Sequence, residues 1–252
     1  MCPKRPLFPI KPMTDPLNPR FPHDETITIG EHELSADEVI ELLAPRLTER
    51  RMQRIDEVIA KRTCEIACVF DGPYDMGNVS AVLRTCEGLG IQPVHLIETQ
   101  EKFKEANRVT QGAEKWLDIR RWKDPKECVA DLKRRGYRIC ATHLEASRPI
   151  AEIDFSEPTA LVMGNEQDGV SQEVLEASDL RCIIPMAGFT QSYNISVAAA
   201  LTLYHVRRWR IDRLGREGEL SEREQKLLRA HFFLRGIDRG RDYLAELLAR
   251  AT

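Results

Sequence analysis

The sequence predicts an α/β fold, a mostly parallel sheet with helices on both faces. Short apolar runs recur at 65–70, 93–98, 137–143, 159–163 and 181–185, each of the length of a buried strand. Helical patterns separate most of them, and strands alternating with helices imply parallel pairing. The 252 residues are 42% hydrophobic and 31% charged. That suits a globular chain able to bury a sizeable core and excludes a disordered or fibrous one.

The elements follow in order. Half of the fourteen prolines fall within residues 3–22, a spacing that forbids helix or central strand and predicts an extended arm. The arm is either a partner-binding segment or a plain tail. TITIGEHEL (26–34) predicts a small hairpin. Ser35-Ala36-Asp37-Glu38 has the capping-box pattern of a helix running to about Leu43. A second helix over about 48–61, with its flanks, carries Arg46, Arg50, Arg51, Arg54, Lys61 and Arg62. Its basic side is either a solvated face or a phosphate-contacting one. In the helix expected at 125–135, Asp124 caps, Pro125 takes the first position, Glu127 completes a capping-box-like pattern and Gly136 ends it. Past residue 215 two more helices follow, the first opened by Ser221-Glu222-Arg223-Glu224.

The formal charge of −3 is unevenly spread: residues 1–43 hold four Lys/Arg against eight Asp/Glu, and the remainder carries +1. A near-neutral body can still present a basic face to a nucleic acid. No run of eighteen apolar residues suggests a membrane span. The opening MCPKRPLFPIKP breaks its apolar runs with proline, unlike a secretory signal. Seven dispersed cysteines without a CxxC suggest reduced thiols in a cytoplasm. There is no P-loop, no GxGxxG at a strand-to-helix turn and no His/Cys cluster at zinc spacing, so a metal site is not expected.

Three segments carry candidate chemistry. In Gly77-Asn78-Val79-Ser80-Ala81-Val82-Leu83-Arg84, Asn78 suits a helix N-cap. Val79, Val82, Leu83 and Cys86 form the apolar stripe, and Arg84 points away from it, back toward the helix mouth where N–H groups favour anions. A capping Asn and a surface Arg would look the same. Met163-Gly164-Asn165-Glu166-Gln167-Asp168-Gly169 follows a strand, at the edge where open α/β sheets bind ligands. Any strand-to-helix loop has similar composition. In the third, Ile184-Pro185-Met186-Ala187-Gly188 ends a strand, and Ser192 or Asn194 caps a long helix whose first half is apolar nearly all round. Such a helix needs cover on more than one side, from a second subunit or from its own chain. Its end, with Arg207, Arg208, Arg210, Arg213 and Arg216 around Trp209, suits RNA, although helix C-termini favour cations anyway.

Together NVSAVLRTCEGLGI, LVMGNEQDGVS and IPMAGFTQSYNISVAAAL resemble the three motifs of the SPOUT RNA methyltransferases, specifically the TrmH-type 2′-O-methyltransferases. TQGAEKWLDI (110–119) and CATHL (140–144) are similar to the tRNA-modifying branch. The resemblance covers roughly residues 50–215. It implies an α/β domain with a deep C-terminal trefoil knot, acting as a homodimer. It also implies methyl transfer from S-adenosylmethionine to the ribose of the position-18 guanosine in the tRNA D-loop. Asn78, Arg84, Glu166 and Asn194 match the catalytic region. The cofactor would lie near Leu161, Met163, Gly164, Ile184, Met186, Ser192 and Asn194. Arg50, Arg51, Arg54, Arg207 and Arg208 are the expected RNA contacts. Tyr193 departs from the family's usual Leu and adds a hydroxyl to the cofactor loop. The expected organisation is an arm and hairpin (1–34), a helical extension (35–62), the methyltransferase domain (63–214) and a C-terminal helical extension (215–252). An rRNA 2′-O-methyltransferase and a non-catalytic RNA-binding module are the alternatives.

Overall fold

The computed structural model describes residues 16–98, 112–144, 147–165 and 167–251. Strands β3 (Ile66–Asp71), β4 (Pro93–Ile97), β5 (Asp118–Trp122), β6 (Arg138–Thr142), β7 (Arg148–Pro149), β8 (Thr159–Met163) and β9 (Leu180–Ile183) form one sheet. Its order is β5-β4-β3-β8-β6-β9-β7, and every neighbouring pair is parallel. The mostly parallel α/β expectation therefore holds. β3, β4 and β8 are buried along their whole length, as strands covered on both faces must be.

Alternate residues of β3 feed the two faces. Ile66, Cys68 and Phe70 pack against helices α3 (Met76–Gly88) and α6 (Ile195–Leu214). Ala67 and Val69 pack against α4 (Pro125–Arg134) and α5 (Gln172–Ala177). α4 begins where Asp124 accepts from the Lys126 amide, at 2.8 Å, and Gly136 past its end has φ of 82°.

β5 is a strand the apolar pattern did not predict. In Asp118-Ile119-Arg120-Arg121-Trp122 only two side chains are apolar, because an edge strand needs little apolar cover. The other difference concerns α3, which starts at Met76 with Asp75, not Asn78, as its cap. Asp75 Oδ1 accepts from the Gly77 amide at 2.8 Å, so Asn78 lies inside the first turn.

A third apolar cluster lies outside the sheet. The hairpin β1 (Ile27–Ile29) and β2 (His32–Leu34) and helices α1 (Ala36–Leu43) and α2 (Glu49–Ile59) come from the N-terminal side. Helices α7 (Glu222–Gly236) and α8 (Gly240–Ala251) come from the C-terminal side. Val39, Leu43, Ile59, Leu228, Phe233 and Leu244 from both ends share this core, forming a collar. Ser35 and Ser221 each make a complete capping box, opening α1 and α7.

The described end of the proline-rich arm is fastened down; the rest of the arm lies outside the described residues. Asn18 donates to Glu65 at 2.6 Å and, through its backbone, to Glu224 at 2.9 Å. Arg20 pairs with Glu65 at 3.1 Å, and His23 Nε2 meets Asp118 at 3.1 Å. Residues 18–23 thus strap the sheet to the collar. No described helix is long and apolar enough to cross a membrane.

Candidate active site

Parallel pairing brings the C-terminal ends of the central strands to one edge. Phe70 of β3 stands beside Met163 of β8, and Thr142 of β6 beside Cys182 of β9. The loops from these ends carry all three sequence segments. Two bonds tie them: Asp71 Oδ2 accepts from the Ser171 amide at 2.7 Å, and the His143 amide donates to Cys182 O at 3.1 Å. Composition offered no signal for Asp71, buried at the end of β3.

Within α3, Val79 and Val82 enter the core while Arg84 is exposed. Among the described residues Arg84 has no carboxylate partner and no cation–π contact. Val79 and Ile195 belong to one buried cluster, and helices α3 and α6 pack against each other. Asn78 in the first turn of α3 and Asn194 at the cap of α6 open the helices that follow β3 and β9. Asn194 caps α6: its Oδ1 accepts from the Ser196 amide at 2.9 Å and from Ser196 Oγ at 2.6 Å. With the oxygen thus engaged, the Nδ2 hydrogens are what Asn194 can offer a ligand.

The loop after β8 folds on itself. Asn165 and Gly169 exchange backbone bonds of 2.9 and 3.2 Å, and Asn165 Oδ1 accepts from Gln167 and Asp168 amides. A Cβ on Gly164 would sit 2.0 Å from Gly169 C, so only glycine permits this turn. Glu166 lies outside the described residues. Across the edge, residues 185–193 exchange no backbone hydrogen bonds with other described residues. Apart from Pro185, which has no N–H, their amides and carbonyls have no backbone partner among the described residues, and Met186 and Ser192 lie on this stretch. A Cβ on Gly188 would meet only the Thr190 hydroxyl, at 4.0 Å. A ligand with a carboxylate and a heterocycle would find donors and acceptors here. Met163 and Ile184 flank the loops at the strand ends, but Leu161 does not reach them. It is fully buried two residues inside β8, registered against Cys68 and Cys140.

The basic residues divide. Arg50, Arg51 and Arg54 are exposed on α2 and Arg208 on α6. Arg54 and Arg208 line one cleft of about 470 Å³ with Tyr204, so two segments distant in sequence share a surface. Arg207 is not on that surface as a free cation. It is 4% exposed, and donates to Leu89 O at 3.0 Å, Lys61 O at 2.8 Å and Glu217 O. Arg210 is equally buried, pairing with Glu219 at 2.6 Å and donating to Phe155 O at 2.7 Å. The physical reason is spacing: 207 and 210 fall on the stripe of Leu203 and Val206 that faces the core, and Arg208 does not. Arg62 is also no part of a solvated face. It is fully buried, pairs with Glu87 at 2.9 Å, lies over the Phe232 ring, and leaves Nε and Nη1 without hydrogen-bond partners. Burial lowers its pKa, opposed by Glu87.

An exposed apolar stripe runs along α6 through Val197, Leu201 and Tyr204, at spacings of four and three residues, with Tyr193 and Phe189 exposed just before it. No group of His, Cys, Asp and Glu able to hold a metal occurs among the described residues.

The model of the SpoU rRNA Methylase family matches residues 65–204, which span all three segments. Among curated relatives, the tRNA (guanosine(18)-2′-O)-methyltransferase of Aquifex aeolicus is 37% identical over 185 residues, 72% of this chain and 88% of the relative. The crystal structure of the A. aeolicus TrmH/SpoU tRNA modifying enzyme superposes with a TM-score of 0.67 at 34% identity, over 75% of this chain and 98% of that one. An AdoMet-bound rRNA methyltransferase from Sinorhizobium meliloti gives 0.54 at 29% identity, over 61% of this chain and 59% of that one. With the motifs gathered at one sheet edge and the match spanning more than half of its length, the chain belongs to the SpoU methylase family.

Proposed function

We propose that the protein is an S-adenosylmethionine-dependent tRNA ribose 2′-O-methyltransferase acting on the position-18 guanosine of the D-loop. The observation that carries this reading is the departure of the loops bearing all three motifs from one sheet edge, where Asn194 caps α6 through Oδ1 and keeps Nδ2 to donate to a ligand. The 37% identity to the A. aeolicus tRNA enzyme over most of both chains supports the substrate. The likeness to the AdoMet-bound S. meliloti structure supports the cofactor.

When bound, S-adenosylmethionine supplies an electrophilic methyl group on a sulfonium, open to in-line displacement. Met163, Gly164, Ile184, Met186 and Ser192 would hold it through the two loops, with Asn194 donating from Nδ2. Leu161 would act only from behind, as core. The acceptor hydroxyl is a weak nucleophile until its developing charge is stabilised. Arg84 serves as that stabilising cation and not as a base, because a guanidinium keeps its proton in proteins. The proton passes to phosphate or water. Asn78 on the first turn of α3 and Glu166 complete the polar set assigned from the motifs.

Arg50, Arg51, Arg54 and Arg208 grip RNA phosphates in this reading, and Arg207 braces the helix that carries Arg208. The exposed Val197–Leu201–Tyr204 stripe supports a homodimer through α6, as does the exposed run at Phe189 and Tyr193. The same reading gives the domain a deep C-terminal trefoil knot. It makes 63–214 the catalytic domain and places the enzyme in a cytoplasm, where its buried free cysteines stay reduced. The substrate is tested by mapping 2′-O-methyl positions in tRNA and rRNA of a deletion strain side by side. Loss at tRNA position 18 alone is expected; loss in rRNA alone selects the alternative substrate.

A further inference from the structure

The opposite edge of the sheet holds a cleft that the methyl-transfer reading does not use. It lies at the beginnings of β4 and β5, beneath the strap of residues 18–23, with a volume of about 710 Å³. That size is within the range of small-molecule sites. Its floor is apolar, made by Pro93, Leu117, Ile119 and the Tyr137 ring. Its rim is cationic, with Arg20, Lys115, Arg120, Arg135 and Arg235.

The carboxylates that pair with the rim's cations are oversubscribed. Asp131, almost fully buried, receives Arg120 and Arg135 at 2.9 and 3.0 Å and Arg134 as a third guanidinium. Asp118 is shared between Arg235 and His23. Counting Glu65, which pairs with Arg20, and Glu114 on the wall, six cations meet four carboxylates. His95 also lines the cleft, and Trp122 Nε1 donates to its Nδ1 at 3.0 Å. The neutral ring therefore keeps its proton on Nε2 and is a donor. Positive charge around an apolar floor that includes an aromatic ring suits a ligand with a heterocycle and a phosphate. Inorganic phosphate would leave the floor wet, and a nucleoside would leave the excess charge unmatched.

We propose that this cleft binds a nucleoside phosphate, with the base on the Pro93–Leu117–Ile119 floor and the phosphate on the arginine rim. The source is either a free mononucleotide or the phosphorylated end of an RNA. The site is separate from the methyl-transfer edge, and its test does not depend on activity there.

The test is calorimetric titration of the full chain with GMP, AMP, guanosine and inorganic phosphate, in the presence of saturating S-adenosylhomocysteine. Mononucleotide binding at least tenfold tighter than guanosine or phosphate is expected, with loss of at least tenfold in the exposed double variant Lys115→Glu, Arg120→Glu. Circular dichroism melts check that the variant folds. A second arm compares RNA transcripts with 5′-phosphate and 5′-hydroxyl ends. Discrimination by the wild type and not by the variant, with no mononucleotide binding, assigns the source to an RNA end. Mononucleotide binding that the variant keeps, or the absence of both mononucleotide binding and end discrimination, overturns the proposal.

Discussion

In the sheet body, the space between β3, β8, α3 and α6 is filled by apolar side chains, and the loops that carry the three motifs leave from the strand ends. In the collar, an apolar cluster of its own is overlaid by ion pairs between residues far apart in sequence. Lys226 meets Asp37 at 3.1 Å, Arg229 meets Asp56 at 2.9 Å, and Arg223 meets Glu25. These exposed pairs contribute little energy each. The collar's cohesion therefore comes from its apolar cluster. The two regions meet through buried charge: Arg207 and Arg210 of α6 hold the segment leading to α7, and Thr63 donates to Glu219 at 2.6 Å. Chemistry and scaffold are thus separable, except at this joint.

The sharpest way to break the comparison is at the joint. Arg210→Met leaves the Glu219 carboxylate buried without its main partner, and should cost about 3–5 kcal/mol in urea unfolding. Adding Glu219→Leu should recover most of it, because replacing both charges removes the orphan. Equal loss in the double variant would mean that the carbonyl contacts, and not the ion pair, hold the joint.

Next in size is the body's own chemistry. Arg84→Ala should lower kcat about 10²–10³-fold, as expected for loss of one stabilising donor, while the melting temperature stays unchanged because Arg84 supports no packing. Arg84→Lys with near-full activity would mean that a planar fork is unnecessary there.

The third prediction separates titrating groups in the two regions. Burial pushes the His95 pKa down to about 4 in the body and, with the His23 charge second, that of His231 to about 3 in the collar. Both are neutral when folded, whereas the unfolded chain takes up protons near the usual histidine value. Their stabilisation is complete above about pH 6.5 and is lost as pH falls toward those folded values. The two together should remove on the order of 2 kcal/mol between pH 6.5 and 5.5. Asp118 behaves differently. Burial raises its carboxyl pKa, but His23 and Arg235 outweigh this and hold it below the usual range, so its contribution is lost only in more acid solution. Melts of His95→Gln and His231→Gln across this range should each show a flatter pH slope. Unchanged slopes would assign the loss elsewhere.

The smallest effect is confined to the collar. Ser221→Ala breaks the capping box that opens α7 and should cost about 1 kcal/mol, with kcat unaltered. A fall in kcat would show that the collar reaches the chemical edge after all.

Legibility in the sequence follows the same division. The five apolar runs and the capping boxes carry local signals, because burial on two faces and orphan helix amides demand particular residues. β5 lacked such a signal, since Arg120, Arg121 and Asp118 do at an edge what apolar side chains do in the middle. Asn78 looked like a cap because it is a good one, and only the path of residues 71–77 gives that place to Asp75. The arginine run at 207–216 read as one surface by composition. The spacing from Leu203 and Val206 held the correction, since it places 207 and 210 inward. The meeting of Arg54 with Arg208 had no sequence signature, because it depends on how the collar docks. The three motif loops were legible as a family resemblance, while their common edge is a product of strand order.

Labelled methyl transfer from S-adenosylmethionine to a tRNA transcript, run beside the same transcript already 2′-O-methylated at guanosine 18, tests the central claim most directly. The account predicts stoichiometric incorporation into the first and none into the second. Equal incorporation into both, or none into either by folded enzyme, would contradict it.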